Sequence, residues 1–214
     1  MCFSAEADFV VAALVAPVGV ATLRHARRPA ELPVAALPLL LAAHQLTEGF
    51  VWLGLNGDVG QAVQDAATAV YLAFAQVALP LLVPLGFLLL EPDRQRRRAM
   101  GALAVVGAAV AARFAQILTT NPIAAAPLDN AIVYDTDWEF GYVVAAGYVA
   151  ATCGPPLLAS SRVLRVFGVA NLVGLGLAAA VRYSAVTSLW CVYAALVSVL
   201  LLAHFRRRPA AVLA

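Results

Sequence analysis

Lysine is missing from this chain of 214 residues, so all 14 of its cationic side chains are arginine. That excludes lysine-imine chemistry, a retinal Schiff base included, in a chain whose size would suit it. Charge as a whole is scarce at 12%, against 63% apolar residues and a mean hydropathy of +0.87, values far from those of soluble domains. Cysteine is held to three positions and histidine to three. A bis-histidine haem has little support, because His25 and His204 fall at a different depth from His44. His44 is followed four residues later by Glu48 rather than a second histidine, so there is no zinc-protease motif. Phosphate-binding glycine loops and nucleophile elbows are missing as well. The net charge of +2 comes from short arginine clusters beside apolar runs and carries no nucleic-acid signature.

What is present is a set of apolar runs of about 20 residues, each long enough to cross roughly 30 Å of hydrocarbon as a helix. They fall at Ser4 to Leu23, Leu32 to Leu55, Ala66 to Leu90, Met100 to Leu118, Phe140 to Leu158, Val166 to Arg182 and Val186 to Ala203. The expected fold is therefore all-α: one domain over residues 1–214, a bundle of seven transmembrane helices in the lipid bilayer. The sixth run carries Gly168, Gly174 and Gly176, as expected of close helix packing.

The connections alternate in charge. Arginines follow the first run (Arg24, Arg27, Arg28), the third (Arg94, Arg96 to Arg98), the fifth (Arg162, Arg165) and the seventh (Arg206 to Arg208). The other connections are acidic, with Asp58 and Asp65, then Asp129, Asp135, Asp137 and Glu139. The positive-inside rule then gives an outside N-terminus and a cytoplasmic C-terminus in an inner (plasma) membrane. Trp52, Trp138 and Trp190 fall near the outer surface, as an aromatic belt would. The long connection from Thr119 to Glu139 reads as a solvated acidic loop, with a lid over the outer face as the alternative.

Within the second run His44, Glu48 and Trp52 recur at i, i+4 spacing and share a helix face. At 1.5 Å per residue Glu48 lies about 10 Å below the outer end and His44 about 17 Å. Arg113 of the fourth run lies about 8 Å below its own outer end, level with Glu48. A buried ion of either sign is costly alone, so depth predicts a Glu48–Arg113 pair, extended by Gln116 one turn above. Cys2 and Cys191 both fall toward the outer side. They read as unpaired thiols, a disulfide between the first and last helices, or a metal or reactive-thiol site.

The opening Met1-Cys2-Phe3-Ser4-Ala5, His44-Gln45 with Glu48 and Trp52, and Leu189-Trp190-Cys191 together resemble a family of small bacterial multi-helix membrane proteins of unknown function. Pro80 and Pro84 are similar to the proline-broken third helix of that family. In its members the position of His44 is also taken by Gln, which implies that Glu48, Trp52, Cys2 and Cys191 matter more than an obligatory histidine ligand.

Three functions follow as expectations. The first is binding or sensing of a small molecule or metal ion in an outer-half pocket of Glu48, Arg113, His44, Trp52, Gln116 and Trp190. Copper(I) or zinc would suit an imidazole with cysteine ligands. The second is a membrane enzyme with Cys2 or Cys191 as thiol or metal ligand and Glu48 as acid-base group. The third is a small-solute transporter hinged at Pro80, Pro84 and the glycines of the sixth run.

Overall fold

The computed structural model describes residues 4–128, 131–135 and 141–207, and of Asp135, Arg182 and Tyr183 it describes the backbone. Cys2, Asp129, Asp137, Trp138, Glu139 and Arg208 lie outside the described residues, as do the side chains of Asp135, Arg182 and Tyr183. Among the described residues, seven helical spans are long and apolar enough to cross a membrane, in the order the hydropathy predicts. The protein is a polytopic membrane protein. The elements are α1 (Ala5–His25), α2 (Leu32–Leu55, entered through a 3-10 turn at Pro29–Glu31), α3 (Gln61–Leu72), α4 (Leu79–Leu90), α5 (Arg94–Thr120), α6 (Gly141–Leu158), α7 (Arg162–Arg182), α8 (Val186–Val197) and α9 (Val199–Arg206). A π-helical segment at Ala73–Ala78 joins α3 to α4 in one span, and α8 runs into α9 in another.

Helix ends follow from their sequences. Ser4 begins α1 by accepting the amide of Ala7, and the Asp93 carboxylate caps α5 through the Arg96 amide at 2.8 Å. At the end of α2, Gly57 takes φ +83. The Asp58 amide then reaches the Leu53 carbonyl and the Gly57 amide the Gly54 carbonyl, the paired closure of a Schellman motif.

Helix α2 is the most enclosed span and organises the bundle, packing against α1, α3, α4 and α8. The backbones of α1 and α2 come close at Gly19, where a Cβ would stand 2.4 Å from the Leu39 backbone nitrogen. Helix α5 packs instead on α4 and α6, and α9 returns to α1 to close the ring. Val10, Leu14, Val105 and Val173 face outward, which suits helices whose outer faces meet lipid. Of the three glycines in α7, Gly168 and Gly174 sit against Leu157 and Tyr193, while Gly176 faces open space.

The π segment has a local cause. Pro80 brings no N–H and crowds the preceding turn. The Leu79 amide bonds back five residues to the Phe74 carbonyl. The next carbonyl, of Ala75, would need an amide from Pro80. Tyr148 of α6 supplies the donor in its place, its hydroxyl 2.6 Å from that oxygen.

The connection after α5 differs from the expected solvated loop. Ala124–Leu128 (β1) and Ala131–Asp135 (β2) form an antiparallel hairpin, with Ala126 opposite Val133. Ile132 is fully buried against Ala5, Val51 and Trp52, so the hairpin covers one end of the bundle. The β-branched and aromatic run Ile132-Val133-Tyr134 accounts for the strand.

Candidate functional site

Beneath the hairpin, α2 turns four polar side chains inward. His44, Gln45, Glu48 and Trp52 are all buried, while Leu46 and Phe50 face out. Spacings of one, four and eight residues place the four on one side of a helix. Each then meets a different neighbour.

Glu48, fully inaccessible, accepts a hydrogen bond from Gln45 Nε2 at 3.2 Å and a long one from Tyr134 Oη at 3.4 Å. Ser188 of α8 and Tyr71 of α3 turn their hydroxyls toward the same carboxylate, although Tyr71 Oη closes no bond of ordinary geometry. Asp8 of α1, also buried, stands close enough to couple electrostatically with Glu48. Trp52 Nε1 points at the Asp8 carboxyl, again without closing a hydrogen bond. His44 stacks on Tyr71 with centroids 4.0 Å apart, and Tyr71 stacks on Tyr134 at 4.7 Å. Phe74 of the π segment also packs on His44, ring centroids 4.8 Å apart. Burial, followed by the neighbouring Glu48 charge, raises the Tyr134 phenol well above its ordinary range, so it stays protonated and donates.

The cluster is underbonded. Among the described residues, the buried side-chain atoms without a hydrogen-bond partner are Asp8 Oδ2, both ring nitrogens of His44, Gln45 Oε1, Trp52 Nε1, Tyr71 Oη and Gln76 Oε1. All belong to α1, α2 and the α3–π span. Buried polar groups in native proteins are ordinarily paired, so this concentration in one place calls for a reason.

Cys191 of α8 marks the inner limit of the cluster. Its thiol faces Tyr71 and Glu48 on one side. On the other it borders two small apolar cavities, of ≈ 50 and ≈ 100 Å³, which share Tyr148 and Trp190 as walls. Gln76 lines the larger one. Trp190 is fixed by donating to the Asn171 carbonyl at 3.1 Å and by edge-on contact with Tyr148.

Of the residues expected from sequence, His44, Glu48, Trp52 and Cys191 come together and Trp190 walls the adjoining cavities. Trp52 is buried inside the bundle and does not sit in an outer belt. Arg113 and Glu48 form no ion pair. The Arg113 guanidinium donates to Gln116 Oε1 at 3.1 Å on a flank of α5, which packs chiefly on α4 and α6. Depth along a helix had fixed their common height but not the direction in which each points. Cys153 and Cys191 are free buried thiols, so Cys191 enters no disulfide; Cys2 lies outside the described residues. No three or more His, Cys, Asp or Glu side chains converge to hold a metal among the described residues, where the two ring nitrogens of His44 are flanked by aromatic rings.

Sequence reasoning did not assign Asp8 or Tyr71 to the site, nor Gln76 to its border. Asp8 falls in phase with the small buried stripe Ala5, Ala12, Val15 and Gly19, a pattern readable from α1 alone. Tyr71 and Gln76 likewise follow Thr68 at helical spacing.

One protein-family profile matches residues 1–214, the whole chain. The chain belongs to the family of unknown function DUF6629. The DUF6629 match takes in every element of the cluster, from Asp8 in α1 to Cys191 in α8. No curated protein and no solved structure matches the chain.

Proposed function

We propose that this membrane protein binds a small ligand in the buried polar cluster under the hairpin, with Glu48 at its centre and Asp8, His44, Gln45 and Trp52 around it. One observation carries the reading: of the underbonded buried polar atoms of the described residues, all but Gln76 Oε1 fall in this cluster. A purely structural network would be expected to close on itself, since an unmade buried hydrogen bond costs about 1–3 kcal/mol. Tyr134, stacked over the cluster on the hairpin, serves as its cover.

The arginine clusters support an orientation with the hairpin face outside and the C-terminus in the cytoplasm of an inner-membrane protein, whose residues 1–214 we read as one domain. The site would then be reached from outside. Transport is disfavoured by the packing of Val34, Leu37, Phe87, Met100, Leu201 and their neighbours across the arginine half of the bundle. A thiol enzyme has one observation in its favour, the free Cys191 beside Glu48. Cys191→Ser separates the two readings, because binding should survive it and thiol chemistry should not.

The test is native mass spectrometry of protein released from membranes. The wild type should carry a non-covalent small-molecule mass that Glu48→Gln and His44→Phe lose. Identical spectra for all three proteins would sink the proposal.

A further inference from the structure

We infer that the bundle has a second binding site: the aromatic-walled cavity between the π segment, α6 and α8 takes a small neutral phenol whose hydroxyl donates to Gln76. This site is separate from the polar cluster and does not depend on what that cluster binds.

The cavity itself sets the first limits. It measures ≈ 100 Å³, and its walls include Gln76 of the π segment, Phe114 of α5, Ala145 and Tyr148 of α6, and Thr187 and Trp190 of α8. No charged residue lines it or the neighbouring cavity of ≈ 50 Å³. An ion would be buried there without a counter-charge, which is costly, so the occupant is neutral. Ala145, Tyr148, Thr187 and Trp190 are only half-buried, which leaves the cavity unsealed and lets a molecule in. A closed cavity of about 150 Å³ takes benzene, so the scale here is that of one ring. Phe114 and Trp190 both meet Tyr148 edge-on, with centroids 6.2 and 5.9 Å away. Walls of this kind favour an aromatic ring over a chain, because a ring can join the edge-to-face array.

Gln76 sets the chemistry. It is 5% exposed, and its Oε1 has no hydrogen-bond partner. An amide oxygen only accepts, so a donor is wanted. Its neighbours do not provide one. Tyr148 Oη is committed to the Ala75 carbonyl at 2.6 Å and Trp190 Nε1 to the Asn171 carbonyl at 3.1 Å, while the Thr187 hydroxyl makes no bond to it. A water molecule would meet the oxygen but fill only a small part of an apolar space. A lipid tail would fill the space and leave the oxygen unmatched. A phenol does both. Gln76 also stands within the π segment, and such insertions recur at functional sites.

The test is fluorine NMR of the full chain in lipid nanodiscs, with empty nanodiscs as the blank and affinities referred to the probe concentration in lipid. The probes are 4-fluorophenol, 4-fluorotoluene and 4-fluoroanisole, which share a ring and of which only the first donates. The phenol should bind saturably and about tenfold more tightly than the other two, the effect of one buried hydrogen bond. Gln76→Leu should weaken the phenol about tenfold, to the level of the toluene, and Ala145→Phe, which fills the cavity, should abolish binding of all three. If a variant does not fold, the phenol-to-toluene ratio on the wild type and Overhauser contacts between the bound ring and Trp190 decide in its place. Equal binding of phenol and toluene would overturn the inference, since the oxygen would then not be read. Preference for the anisole would overturn it too, by putting the amide N–H and not the oxygen at the ligand. Phenol binding that survives Ala145→Phe, or no saturable binding to the wild type, would remove the site.

Discussion

Two buried polar regions occupy opposite ends of this bundle, and they are built differently. At the arginine end, Glu91 accepts from the Asp93 amide at 3.1 Å, from the Ser160 amide at 2.8 Å and from the Ser160 hydroxyl. Glu31 is held by Arg28 Nε and the Arg27 amide, both at 2.9 Å, and His204 meets Ser161 at 2.9 Å. Arg96 and Arg165 satisfy the carbonyls that end α6. At the hairpin end, Asp8, His44, Gln45, Trp52 and Tyr71 each keep an unmatched atom. The first region ties helix ends to loops. The second keeps bonding capacity that folding has not consumed, which is how a binding site differs from a brace.

Substitutions should separate the two. The largest effect belongs to the closed network: Glu91→Ala removes the buried carboxylate that accepts from the Asp93 amide and from the amide and hydroxyl of Ser160, and should cost about 3 kcal/mol, read as a fall in thermal midpoint. Tyr148→Phe, which strips the Ala75 carbonyl of its donor at the π segment, should cost about 1 kcal/mol. In the open region His44→Phe should go the other way. It keeps the stack on Tyr71 and removes two unmatched nitrogens, so ligand-free protein should gain about 1 kcal/mol in the same assay. A loss as large as that of Glu91→Ala would erase the contrast.

The smallest effect is one of pH. The Tyr134 phenol titrates higher in the folded protein than its ordinary value of 10.0, so the folded state holds its proton longer than the unfolded chain. That contribution is complete below about pH 10 and is lost as the pH rises further. Protease sensitivity of the hairpin should therefore increase above about pH 10 and lose that dependence in Tyr134→Phe. Insensitivity of the wild type would show that the phenol is not held under the hairpin.

Much of the framework can be read from the chain. Seven apolar runs of sufficient length can only be satisfied as helices in lipid, and the i, i+4 spacing of His44, Glu48 and Trp52 forces them onto one face. Which neighbour that face meets is another matter. Glu48 and Arg113 share a height, but α5 turns its guanidinium along its own flank to Gln116, and the carboxylate meets Asp8, Tyr71 and Tyr134 instead. Azimuth is set by tertiary packing that hydropathy does not encode. The hairpin escaped notice for a related reason. Five-residue strands flanked by acidic residues carry a weak local signal, and Ile132 shows its purpose only when Val51 and Trp52 are seen beneath it.

The central claim, that the cluster around Glu48 is a ligand site, is tested most directly by an experimental density map of protein purified from its native membrane. The account predicts non-protein density bounded by Asp8, Gln45 and Glu48, within hydrogen-bonding distance of atoms that have no partner in the bundle. A map in which Asp8, His44, Gln45 and Tyr71 bond only to one another, with no density between them, would contradict it.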